Sequence, residues 1–108
     1  MLIYVAGPYS APTVEGCLDN ANKAIDAGIA LASKGYTPFI PHLNHLWDQR
    51  ATEQGITYSH EWWLDWCLVW LSKCDGLLFL GHSKGADIEL EFATRVGMPV
   101  YYSLDEVE

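Results

Sequence analysis

Residues 76–93 read GLLFLGHSKGADIELEFA, and this stretch decides the fold. Gly76–Leu80 is a short, unbroken apolar run, the pattern of a strand covered on both faces. Gly81-His82-Ser83-Lys84-Gly85 follows as a glycine-bounded turn, and Gly85–Val96 then carries helical periodicity until Gly97 and Pro99 stop it. Strand, tight turn and helix in this order form half of a parallel β-α-β unit.

The turn also spells G-x-S-x-G, the elbow that presents a serine nucleophile between a strand and a helix. That chemistry needs a histidine base, which in the elbow fold follows the serine in the chain. The histidines here are His42, His45, His60 and His82, and none follows Ser83. His82 adjoins Ser83, but neighbouring turn residues point apart. The spacing of a Walker phosphate loop is absent as well. The turn is better read as a place where backbone amides at a helix start approach an anion.

Working outward, LIYVA at 2–6 predicts a buried strand that ends in the Gly7-Pro8 turn. A helix is expected from about Thr13 to Lys34, where Ile25, Ile29 and Ala32 recur at helical spacing and Gly35 supplies the stop. YTPFI at 36–40 reads as a strand, with Pro38 placing it near a sheet edge or a strand end. Residues 41–58 show no clear period, and a loop with a short helical piece around Leu43–Gln49 is expected. Ser59 is a suitable N-cap for a helix running to Lys73, and PVYY at 99–102 makes a fourth strand before a terminal turn or helix.

Strands alternating with helices predict a single α/β domain over residues 1–108. The expected architecture is a three-layer sandwich with a four- to five-stranded parallel sheet, Rossmann- or flavodoxin-like. Its ligand site belongs at the carboxyl ends of the strands. Gly7–Ser10, Pro41–His45 and Gly81–Gly85 all fall on that edge.

Composition narrows the ligand. A formal net charge of −8, with six Lys and Arg in total and no cluster among them, argues against polymeric nucleic acid. Any anionic ligand must be small and held by local groups. No apolar run approaches the roughly 20 residues that span a bilayer, and the apolar start lacks a basic leader. Three cysteines without a C-x-x-C pair point to reduced thiols in a cytoplasm, not to a disulfide framework or a zinc ribbon.

A helical wheel over Ala86–Val96 separates the acids. Asp87, Glu91, Thr94 and Arg95 share one arc, with Glu91 and Arg95 as an exposed i, i+4 pair. Glu89 falls instead in the middle of the arc formed by Ala86, Ile88, Leu90, Phe92, Ala93 and Val96. A carboxylate there either stabilises the helix N-terminus or serves a site, and its apolar surround favours the site. His42 and His45, three residues apart beside Trp47, are suited to contact a base or donate a proton, or else simply bond to loop backbone. A third metal ligand is not evident, so no metal is expected. The helix of Trp62, Trp63, Trp66 and Trp70 is apolar on all sides, with Leu64, Leu68 and Leu71 opposite the rings, so no single face buries it and a partner surface is expected.

Four segments together resemble a known group: IYVAGPYS (3–10), GYTPFIPHLNHLW (35–47), CDGLLFLGHSKGADIELEFA (74–93) and GMPVYYSLDE (97–106). The chain is similar to the nucleoside 2-deoxyribosyltransferase and 2′-deoxynucleoside 5′-phosphate N-hydrolase superfamily, nearest to its DUF4406-type branch. The resemblance implies that Glu89, in G-x-x-x-E-L, is the nucleophile and that Tyr4 on the first strand touches it. It implies a 5′-phosphate contact for Ser83, with Lys84 and Gly85 alongside. Gly7 and Ser10 would line the phosphate side, and His42 and His45 the base pocket. One position departs. An Asp that assists the leaving base in the family is Cys67 here, and Asp65, two residues away, takes that role only if the helix is locally irregular.

These readings converge on cleavage or transfer at the N-glycosidic bond of a small nucleotide or nucleoside, foremost a 2′-deoxynucleoside 5′-monophosphate, without a cofactor and in a homodimer or larger homo-oligomer. The other reading is a nucleotide-binding or sensing module that has lost turnover.

Overall fold

The computed structural model describes residues 1–108 and contains four parallel strands and four α-helices. In chain order these are β1 (Leu2–Ala6), α1 (Val14–Ser33), β2 (Thr37–Phe39), α2 (His45–Glu53), α3 (His60–Leu71), β3 (Gly76–Phe79), α4 (Lys84–Arg95) and β4 (Val100–Tyr101). Short 3-10 turns lie at Pro41–Asn44 and Leu104–Glu106. The strand order is β2-β1-β3-β4, the flavodoxin-like arrangement without its fifth strand. No helix is long and apolar enough to cross a membrane.

Alternate residues of the two central strands face opposite layers, as the pleat requires. Ile3, Val5 and Leu78 are buried with Ala24, Ala27 and Leu31 of α1 and with Val107 near the C-terminus. Tyr4, Ala6, Leu77 and Phe79 are buried on the other side with Leu71 of α3 and Ala86 and Ala93 of α4. The sheet is thus the middle of three layers. Between β1 and β3 the chain leaves toward opposite faces, and this switch point opens a crevice at the carboxyl ends of both strands.

Two details differ from the sequence expectation. On α1 the buried stripe is Ala21, Ala24, Ala27, Gly28 and Leu31, while Ile29 is 60% exposed. Small side chains win because this helix lies close against β2: a Cβ on Gly28 would fall 2.3 Å from Cδ1 of Ile40. The region after β2 is also more helical than expected, because the 3-10 turn runs directly into α2 through an Asn44 of helical backbone (φ −69, ψ −8). Ser59 caps its helix as expected, its Oγ accepting from the Trp62 amide, and Ser83 caps α4, its Oγ accepting from the Ala86 amide. Pro38 sits in β2, the edge strand.

Candidate active site

The crevice at the switch point is a cavity of about 390 Å³. Loops after β1 and β3 form one end, with Gly7, Ser10, Ser83, Lys84 and Gly85. The segment from the 3-10 turn into α2 supplies His42, Asn44, His45 and Asp48, and α3 contributes His60, Trp63, Leu64 and Cys67. Glu89, one turn into α4, joins the two halves.

Glu89 is 7% exposed, the most buried carboxylate of the chain. Its Oε2 accepts a hydrogen bond from the hydroxyl of Tyr4, itself fully buried on β1. Burial raises the Glu89 carboxyl to about 7, and the Tyr4 hydrogen bond offsets this only in part. Burial, followed by the neighbouring Glu89 charge, pushes the Tyr4 phenol well above its usual range, so the phenol stays a donor. A carboxylate of this kind, desolvated but bonded on one oxygen, is suited to attack or to steady a developing positive centre.

Cys67 also reaches this pair. Its thiol is pushed up to about 11, chiefly by burial, while interaction with the Tyr4 hydroxyl pulls the other way. It packs against the core, as its shared face with Trp63, Trp70 and Cys74 predicts, and it lines the cavity too.

Asp65 requires a correction as a site residue. α3 is regular through this position, so the side chain two residues from Cys67 is carried to the far side of the helix. It is exposed beside Trp62, Trp66 and Val69, outside the cavity. The exposed Glu91–Arg95 pair is likewise replaced: both residues are exposed, but the Arg95 guanidinium lies 5.7 Å from the centre of the Phe92 ring.

The loop before α4 has no nucleophile geometry. Ser83 Oγ caps Ala86, and His82 turns away, placing Nδ1 2.7 Å from Oδ1 of the exposed Asp87. The Ser83 hydroxyl hydrogen is left free to donate. The first-turn amides of Lys84 and Gly85 have no carbonyl within the helix to bond. A Cβ at Gly85 would meet no protein atom within 4 Å, so glycine here keeps the cavity clear instead of relieving packing. Donors, a helix N-terminus and the Lys84 ammonium together favour an anion at this end.

On the wall supplied by the 3-10 turn, His42 is 6% exposed, and its Nε2 lies 3.1 Å and 3.2 Å from the carbonyls of Gly7 and Pro8 in the loop after β1. Carbonyls only accept, so Nε2 carries the hydrogen, and burial lowers the His42 pKa and keeps the ring neutral. His45 is half-buried, with Nδ1 3.3 Å from the His42 carbonyl and its ring stacked on Tyr9. Sequence reading missed Asn44, Asp48 and His60 as cavity residues. Asn44 and Asp48 sit in a segment without periodicity, where no wheel or alternation tells one side from another, and His60 is the first residue of α3. No group of three or more His, Cys, Asp or Glu is arranged to hold a metal.

A family described as a domain of unknown function, DUF7768, matches residues 1–103. The chain belongs to the DUF7768 family. No curated protein matches it. The DUF7768 match runs from Met1 to Ser103, two residues beyond β4, so it contains every side chain of the cavity.

Proposed function

We propose that this DUF7768 protein cleaves the N-glycosidic bond of a 2′-deoxynucleoside 5′-monophosphate. The observation that carries the reading is the buried Glu89 carboxylate, held by Tyr4, between an anion-favouring loop and a pocket of ring and amide side chains. The phosphate sits at Ser83, Lys84 and the amides near Gly85, with Ser10 at the same end of the cavity. The sugar then lies over Glu89, and the base enters the end walled by Trp63, Leu64, His42 and His45. Glu89 attacks the anomeric carbon as the base departs, giving a glycosyl ester that water, or a second base, resolves. Tyr4 orients Glu89 and holds its oxygen during charge build-up. The resemblance to the deoxyribosyltransferase and deoxynucleotide N-hydrolase superfamily supports the same assignment of Glu89, Tyr4 and Ser83. No cofactor is needed for this chemistry.

A second reading is supported by Asp65 lying outside the cavity and Cys67 standing inside it. Without an acid at that position the pocket would bind or sense nucleotides without turnover. Incubation with the deoxynucleoside monophosphates, followed by chromatography for free base, separates the two. Free base that disappears with Glu89→Gln supports the enzyme, whereas saturable binding with no base released supports the sensor.

The free cysteines support a cytoplasmic location. The exposed Trp62, Val69 and Trp70 of α3 support a homo-oligomer formed through that helix.

A further inference from the structure

An N-glycosidic bond breaks readily only if the departing base receives a proton, and of the residues considered for this, Asp65, Cys67 and His42 do not supply it. Asp65 is outside the cavity, and the Cys67 thiol titrates far above neutrality. His42 spends its N–H on the Gly7 and Pro8 carbonyls, and its Nδ1 is sealed from solvent without a partner.

We infer that His45 is the general acid that protonates the leaving base. This rests on the reading that the cavity holds a nucleotide with its phosphate at Ser83. The His42 carbonyl can only accept, so the hydrogen of that bond sits on His45 Nδ1, and Nε2 is the atom that gains and loses a proton. Stacking on Tyr9 fixes the ring plane at the cavity wall. Asp48, three residues along α2, lines the same cavity and provides a carboxylate on the His45 side. The helical path is continuous from Pro41, so His45 does not stand at a free helix N-terminus. His60, in contrast, is exposed at the first position of α3 and makes no hydrogen bond that would fix its ring.

The step balances. As the Glu89 carboxylate bonds to C1′, the C1′–N bond breaks and its electron pair goes to the base nitrogen, which takes the proton from His45 Nε2. Neutral base departs. Neutral His45 then removes a proton from the incoming water, whose oxygen bonds to C1′ as the glycosyl ester breaks. The Glu89 carboxylate, protonated His45 and 2-deoxyribose 5-phosphate result.

The test compares two leaving groups in wild type and His45→Gln: the best-cleaved of the common deoxynucleoside monophosphates, and 4-nitrophenyl 2-deoxyriboside 5-phosphate, whose nitrophenolate leaves without a proton. His45→Gln should lower kcat on the nucleotide by roughly 10²-fold or more, and on the nitrophenyl substrate by only a few-fold. Imidazole added to His45→Ala should restore nucleotide turnover, while His60→Gln should show no split between the substrates. Equal losses on both substrates, or no loss on the nucleotide, overturn the assignment. Wild-type protein that cleaves the nitrophenyl substrate but no nucleotide also overturns it, leaving Glu89 as nucleophile intact. Wild-type protein that cleaves neither removes the proposed reaction and this role together.

Discussion

Tyr4 and Glu89, 85 positions apart in the chain, meet in a buried hydrogen bond between the centre of the sheet and the second turn of α4. The bond ties the Glu89 carboxylate to a central strand of the sheet. Tyr4 pairs with Phe39 of β2 on one side and Leu77 of β3 on the other, so it has little freedom to follow Glu89 elsewhere.

Glu89→Gln should abolish base release, while Glu91→Gln, on the exposed side of α4, should change it by less than about twofold. Chromatographic assay of both variants checks this. Equal losses would mean that burial of Glu89 is incidental.

The same Glu89→Gln change should stabilise the protein, in a pH-dependent manner. Burial raises the carboxyl from 4.5 in the unfolded chain to about 7 when folded, so the folded state binds the proton more tightly. Stability is therefore highest below 4.5 as far as this group is concerned, and is lost as pH rises toward 7. Removing the charge should recover up to about 3 kcal/mol at pH 8 and almost none at pH 4. Denaturant midpoints at the two pH values measure it, and a gain independent of pH would contradict it.

Turnover should have the opposite slope. Attack requires ionised Glu89, so kcat/KM should fall as pH drops below about 7, approaching tenfold per pH unit. A plateau extending down to pH 5 would show that the carboxyl is not the titrating nucleophile.

Ser83 has two duties that substitutions can separate. Ser83→Ala removes the cap on Ala86, costing about 1 kcal/mol of stability, and weakens a 5′-monophosphate relative to its nucleoside by about 1–3 kcal/mol. Ser83→Asp should keep the cap yet repel the phosphate, so stability returns while nucleotide affinity does not. Calorimetric titration with nucleotide and nucleoside, next to thermal melts, reads both. Fluorophosphonate reagents should leave Ser83 unlabelled, since His82 is bonded to Asp87 and not to it.

The tryptophan helix should mediate self-association. Trp47 and Tyr58 cover part of α3 by edge and stacking contacts within the chain, yet Trp62, Val69 and Trp70 stay 38–63% exposed. Sedimentation at micromolar concentration should show a dimer or larger species, and Val69→Glu should dissociate it without unfolding. A wild-type monomer would show that the intramolecular aromatic cluster suffices.

What the sequence determined by itself was whatever a local period or cap encodes. The apolar runs at 2–6 and 76–80 set the buried strands, Ser59 marked a helix start, and the wheel singled out Glu89 among the acids of α4. These need only near neighbours in the chain, because strand alternation and helix pitch repeat over a few residues. The tertiary structure decided the rest. Only the approach of α1 to β2 explains why small residues, and not Ile29, face the sheet. Helix pitch already separates Cys67 from Asp65, but only the assembled layers show that Cys67 lines the cavity as well as the core. Residues 41–58 have no period to read, so Asn44 and Asp48 joined the cavity, and His42 became distinct from His45, only through carbonyls brought from the loop after β1 and through packed rings. Such partners lie far off in sequence, and their meeting is a property of the packed layers.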